Sequence, residues 1–316
     1  MRELGVALAR AGLTERAMKT CFGISHASQL RWVLPERRDP GPRPPRASVP
    51  LWLFCAGRAI DRDHARAALE LDRLVEAGLV IDDGGPTVRA TCMLLPIGSS
   101  IAVCDREDDP SASVLWPDDS THHLIASLPS SRAARWLDVG TGACVAPLAA
   151  PGRAREIRAT DVSPHAIDRA RAGLALSGVT HVEAAVADLA DGAGPGWDLV
   201  TFNAPIPAET GIPRAGDSLH RRAPPGAAVL ERFWAQAPSL VTDTGEVIVH
   251  SYVGEDPLAA LAHLPGAIGV FRYSTDRRFA ITVWRPSGIC REVVDVLLVE
   301  DQPHVARPVI DRLLGA

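Results

Sequence analysis

Four polar side chains and two glycines in the middle of this 316-residue chain stand where chemistry can be done. Asp138, Gly140 and Gly142 fall inside Trp136-Leu-Asp-Val-Gly-Thr-Gly142, an apolar run that passes straight into a turn. Two glycines there let the backbone bend sharply and let a ligand approach it closely, so Asp138, Gly140, Thr141 and Gly142 are candidate ligand-binding residues. The run begins like a dinucleotide fingerprint, but Val145 stands at the third glycine position and an acid precedes the first glycine. The phosphates of a dinucleotide would meet Asp138 as an unfavourable neighbour, whereas an ammonium group would be attracted to it.

Two further acids follow at predicted strand tips. Asp161, in Arg158-Ala-Thr-Asp-Val-Ser-Pro164, can accept both hydroxyls of a ribose, with Val162 beside it; its plainer use is to cap the helix that Ser163 and Pro164 begin. Asp188 closes the run from Val182 and can accept from an adenine amino group while Leu189 covers the ring, the plainer reading being a turn aspartate. An ammonium, a ribose and an adenine without phosphate describe S-adenosylmethionine (SAM), which is therefore the expected cofactor.

The fourth strand, Trp197-Asp-Leu-Val-Thr-Phe202, leads into Asn203-Ala204-Pro205-Ile206. With the three acidic tips, this gives residues 115 to 286 a resemblance to class I SAM-dependent methyltransferases. Asn203 to Ile206 is similar to the Asn-Pro-Pro-Tyr motif of their amino-methylating branch, which includes the release-factor glutamine methyltransferases. The resemblance implies that the Asn203 side chain and the Ala204 carbonyl accept hydrogen bonds from a target nitrogen, with Pro205 and Ile206 completing the catalytic motif. Asn203 also borders the cofactor. Ala204 departs from the first proline, and Ile206 replaces the aromatic ring that stacks on a flipped base in nucleic-acid-methylating relatives, which disfavours a planar base as substrate.

Leu115-Trp-Pro-Asp-Asp-Ser-Thr-His-His-Leu124 resembles the segment before the first strand in the same relatives and makes Asp119 and Thr121 candidates for the border of cofactor and substrate. Gly216-Asp-Ser-Leu219 is similar to their Gly-Asp-Gly-Leu stretch, with Ser218 in place of a glycine. His122, His123 and His220 stand nearby and could take a proton near neutral pH, although surface or packing use is commoner for any one histidine. His122 and His220 join Asp119 and Thr121 as candidate substrate residues.

The elements that must position these residues are legible as alternation. Strands are predicted near 135–139, 156–161, 182–187, 198–203, 246–252, 267–274 and 279–285, with helices between most of them. Before them, residues 1–34 read as helical with Thr14 as an N-cap, and a proline- and arginine-rich linker spans Pro35 to Arg46. A helix from Asp63 to Gly78 and strands at 79–81, 88–95 and 101–104 then have the outline of a winged helix. The expected fold is α/β, a Rossmann-like seven-stranded methyltransferase sheet over residues 111–316. A small helical, winged-helix-like domain over residues 1–110 is expected to serve as lid or substrate domain.

A formal charge of -5 gives no global reason to expect a nucleic acid, and the 63–78 segment is itself acidic in balance. The six cysteines are scattered without metal spacing and read as reduced thiols, and no metal is expected. No uninterrupted apolar stretch approaches ~18–20 residues and the first residues lack a signal-peptide core, so a cytoplasmic protein without membrane association is expected. The leading expectation is methyl transfer to an amine or amide nitrogen of a small metabolite or amino-acid-derived compound, with a homodimer compatible. The alternatives are protein glutamine methylation, non-methylating SAM chemistry such as cyclisation or cleavage, and a SAM-sensing DNA-binding regulator.

Overall fold

The computed structural model describes residues 1–34, 41–106, 108–109, 114, 117–205, 226–274, 277–296 and 307–315. The chain divides into two compact units: Met1–Asp118 with Gly142–Ala149 and His165–Thr180, and Asp119–Thr141 with Ala150–Pro164 and His181–Ala316.

In the first unit, Thr14 caps the helix Glu15–Phe22 by accepting from Ala17 N, as its position predicts, and Gly23 ends that helix in the left-handed region. The unit's strands are β1 (Ile60–Asp61), β2 (Val80–Ile81), β3 (Thr87–Ala90), β4 (Met93–Ile97) and β5 (Ser100–Cys104). They form a three-stranded sheet in the order β1-β3-β2 and a β4-β5 hairpin. The helix expected over 63–78 is two helices, Arg62–Ala68 and Leu71–Glu76, with Leu69 extended between them. In a continuous helix Leu69 and Leu71 would lie on nearly opposite faces; the break buries both. The strand expected over 88–95 is likewise split at Thr91, whose hydroxyl donates to Gly78 O at 2.7 Å. The linker's second half is tied down: Arg43 pairs with Asp61 at 3.0 Å, and His64 bonds Pro44 O.

Helix Arg2–Arg10 meets helix Pro164–Ser177 at Gly5, where an added Cβ would lie 2.0 Å from Leu176 O. Gly5→Ala gains helix propensity worth about 1 kcal/mol, but it forces two backbones apart at a cost of about 1–3 kcal/mol. A lowered urea midpoint is expected, and an unchanged one would refute the close contact.

The second unit carries one eight-stranded sheet made of β6 (Ala133–Val139), β7 (Ala154–Asp161), β8 (Val182–Val186), β9 (Trp197–Asn203), β10 (Val241–Tyr252), β11 (Ala267–Arg272), β12 (Phe279–Arg285) and β13 (Arg291–Asp295). Its order is β13-β11-β12-β10-β9-β6-β7-β8. The seven expected strands are present, and β13 adds a parallel eighth at the edge of β11. Only half-buried and exposed residues compose β13, so it lacks the apolar run by which a buried strand is recognised. β12 runs antiparallel to both neighbours; the other pairs are parallel. Leu137 of β6, Trp197 and Phe202 of β9, and Val247 and Val249 of β10 form a core with Phe233 and Trp234 of the helix Gly226–Leu240.

The last helix, Arg307–Leu314, is tied to the sheet by charge. Buried Glu246 of β10 accepts from Arg285 Nε at 2.8 Å and from Arg307, while Asp311 accepts from Arg285 at 3.0 Å. Glu246→Ala leaves two nearly buried guanidinium groups short of their carboxylate, and a loss of about 3 kcal/mol in chemical unfolding is expected. A loss under 0.5 kcal/mol, the scale of an exposed pair, would contradict this.

Candidate functional site

The chain turns back between β6 and β9, the point from which strand order runs outward in both directions, and ligands of open parallel sheets bind at the carboxyl ends of strands at such a point. Register puts the tips together there: Val139 pairs with Thr160 and with Phe202, Asp161 with Val186, and Asn203 with His250.

Asp138 is 3% exposed. Its Oδ2 accepts from the Thr141 hydroxyl at 2.6 Å and its Oδ1 from the Thr201 hydroxyl at 2.5 Å; Trp136 Nε1 in turn donates to Thr201 at 2.7 Å. Burial pushes the Asp138 carboxyl up to about 6; the two hydroxyls pull it down, and the charge of Asp161 adds to the rise. The result is a carboxylate under strong desolvation, which an incoming cation would relieve.

Gly140 and Gly142 both have positive φ, 61° and 55°. At Gly140 a Cβ would come to 3.0 Å from the Phe202 ring, whereas at Gly142 it would meet nothing within 4 Å. One glycine is thus demanded by close packing on the residue before Asn203, and the other leaves open space against bare backbone. Cys144 takes the left-handed region as well, without a glycine's freedom.

Asp161 ends β7, where its Oδ1 accepts from Ser163 N at 2.9 Å. That bond closes a turn just ahead of the helix Pro164–Ser177, and a carboxylate has about four acceptor positions, so it is compatible with ribose hydroxyls. Val162 is 68% exposed, unusual for valine. Asp188 lies just beyond the end of β8, exposed, with Oδ2 held by Arg232 at 2.7 Å, a partner 44 residues away in the chain. Leu189 is buried with φ 52°, its carbonyl accepting from Thr160 Oγ1 at 2.8 Å.

Asn203 is half-buried at the end of β9, and its amide is held on both sides. Nδ2 donates to Ser120 Oγ at 2.9 Å and Thr121 Oγ1 at 3.2 Å, and Oδ1 faces His250 Nδ1 at 2.9 Å. His250 Nε2 lies 2.5 Å from the Tyr273 hydroxyl, and the Tyr273 ring packs against His123 at a 30° tilt with centroids 3.9 Å apart. Thr121 is thus placed beside Asn203. Asp119, exposed, begins the helix Asp119–Ala126, and His122 is half-buried on it. Ala204 is buried, its N–H donating to His250 O at 2.9 Å, and Pro205 follows half-buried. Ile206, His220, Leu115, Trp116 and the stretch Gly216 to Leu219 lie outside the described residues.

Sequence reasoning passed over Ser120, Thr201, His250 and Tyr273. The signal for His250 was a lone histidine in the apolar run Val247-Ile-Val-His. Among the described residues no cluster of His, Cys, Asp or Glu could hold a metal, and no helix is long and apolar enough to cross a membrane. All six cysteines are free, and burial pushes the thiols of Cys55 and Cys104 up, which makes both inert.

Residues 113–253 match the family model described as "Methyltransferase small domain". No curated protein matches in sequence. Among solved structures, the ribosomal protein L11 methylase of Lactobacillus delbrueckii subsp. bulgaricus is similar at 20% identity, over 52% of this chain and 77% of that chain, with TM-score 0.41. A SAM-dependent methyltransferase of Agrobacterium tumefaciens is similar at 14% identity, over 68% and 80%, with TM-score 0.44. A methyltransferase of Pyrococcus furiosus is similar at 16%, over 59% and 90%, also with TM-score 0.44. The match over residues 113–253, on a sheet of this order with acidic strand tips, supports a methyltransferase domain whose cofactor is S-adenosylmethionine.

Proposed function

We propose that the chain methylates a nitrogen, an amine or amide of a small metabolite or amino-acid-derived compound, at the tip of β9. The observation that carries this is the Asn203 amide: half-buried, oriented by three side chains, with an oxygen that holds two lone pairs and one protein donor. A nucleophile bearing N–H is the natural partner for the remaining lone pair. Asp138 would hold the cofactor's ammonium, and the open backbone at Gly142 would admit its amino-acid part. Asp161 and Val162 would take the ribose side, and Asp188 with Leu189 the adenine. The residues fit the cofactor: a desolvated carboxylate beside left-handed glycines suits a cation carried on a small, phosphate-free ligand.

When bound, SAM supplies an electrophilic methyl on a sulfonium; the N–CH3 bond forms as the S–CH3 bond breaks, sulfur keeps the electron pair, and nitrogen releases one proton. The chain's own work is alignment. Asn203 Oδ1 and the Ala204 carbonyl would orient the nitrogen lone pair, and Asp119, Thr121 and His122 would border the acceptor. Residues 1–110 would serve as lid or substrate domain.

The test is incubation with methyl-labelled SAM and the small-molecule fraction of the source cells, followed by mass spectrometry of the labelled product. The expected product has gained one CH2 on nitrogen. A methyl found on oxygen or carbon, or release of 5'-methylthioadenosine without a methylated product, would overturn the reading.

A further inference from the structure

Asn203 meets its neighbours through a chain of hydrogen bonds that runs back into the sheet. His250 is 1% exposed and Tyr273 5%, and the imidazole lies parallel to Phe279, 10° between planes and 6.0 Å between centroids. Because Asn203 Oδ1 can only accept, His250 Nδ1 must carry the proton between them. A neutral ring then has its acceptor at Nε2, which the Tyr273 hydroxyl fills, and a charged ring would be costly at this burial. Donation therefore runs one way: Tyr273 to His250, His250 to Asn203, and Asn203 to Ser120 and Thr121.

We infer that His250 and Tyr273 are positioning residues that lock the Asn203 amide with its oxygen toward the acceptor, and so select acceptors that donate a hydrogen bond. This rests on the proposal that Asn203 meets the acceptor. An amide turned over would satisfy Ser120 and Thr121 through its oxygen and present NH2 to His250, but it would require the other imidazole tautomer and a Tyr273 hydroxyl that accepts instead of donating. A thioether, a tertiary amine or an aromatic carbon has no hydrogen to offer and gains nothing from such a lock. A carboxamide is also a poor proton carrier, so the chain orients the nucleophile and does not remove its proton.

The test needs no substrate. Sinefungin is a SAM analogue with an amine-bearing carbon in place of the methylated sulfonium, so its amine stands at the place of the transferred methyl and its N–H groups point toward the acceptor's side. Titration calorimetry would compare it with S-adenosylhomocysteine, which lacks that amine, on the full chain. Wild type is expected to bind sinefungin about tenfold more tightly, the scale of one hydrogen bond from a charged donor. His250→Leu is expected to bring the ratio near one and Tyr273→Phe to lower it about threefold, while S-adenosylhomocysteine affinity stays within about threefold. His250→Gln keeps an N–H for Asn203 and a carbonyl for Tyr273, and should retain most of the preference. If His250→Leu fails to bind S-adenosylhomocysteine, Tyr273→Phe carries the test alone, since it removes one oxygen. No preference in wild type, or a preference that survives both His250→Leu and Tyr273→Phe, overturns the inference. Absence of S-adenosylhomocysteine binding in wild type would instead overturn the cofactor site beneath it.

Discussion

Asp138→Asn is expected to weaken SAM binding by about a hundredfold, roughly 3 kcal/mol, while leaving the folded chain at least as stable. The two effects have opposite signs because one carboxylate causes both. Burial holds its pKa near 6, above that of an unfolded aspartate. Its contribution to stability is therefore fully present below the unfolded value of about 4 and is lost as pH rises through about 6. Above that pH the ionised group costs the free protein about 3 kcal/mol, as an upper bound, and asparagine removes the cost. The amide can still accept from Thr201 while its NH2 faces Thr141, whose hydroxyl can turn to accept. For the cofactor the ionised form is the useful one. Wild-type affinity should rise with pH up to about 6, by at most tenfold per unit, and then level, and the variant should show no such rise. Calorimetry from pH 5 to 8 checks both; a variant that binds SAM as wild type does would remove Asp138 from the ammonium site.

Asn203→Ala should lower the rate of methyl transfer by a factor of about 100 to 1000, the scale of losing one oriented hydrogen-bonding group at a reacting centre, with S-adenosylhomocysteine affinity within about threefold. Asn203→Asp separates orientation from acceptance. It keeps an oxygen for His250 and for the acceptor, and the Ser120 and Thr121 hydroxyls can rotate to donate instead. It should retain more rate than alanine, measured as kcat on the labelled substrate. Equal rates for the two variants would mean that Asn203 acts only by filling space.

What the sequence made legible was local or periodic. The runs around Trp136-Leu-Asp-Val and Trp197-Asp-Leu-Val are apolar because parallel strands covered on both faces must be, and they run into the turns where Asp138 and Asn203 stand. The Thr14 cap was equally local. His250 and Tyr273 were not legible as site residues, because they reach Asn203 across separations of 47 and then 23 residues. Only the parallel register of β9 with β10, and the return of the chain through β11, bring them in. The division at Leu69 was illegible for another reason: no glycine or proline marks it, and tertiary burial of two leucines outweighs the propensity of the segment. The Arg232 partner of Asp188 is a surface pairing between separate elements, which no spacing foretells.

The grip on Asn203 comes from one helix and the strand framework: Ser120 and Thr121 on one side, His250 and Tyr273 on the other. None of the four lies between Ile206 and Pro225. On the proposal made above, only Thr121 of the four also borders the acceptor, so the residue that fixes the chemistry is secured almost independently of the residues that choose the acceptor. A lineage built this way can exchange acceptors by substitutions outside the grip and keep its reaction through the exchange. The reaction would be inherited with the sheet, and the substrate acquired afterwards.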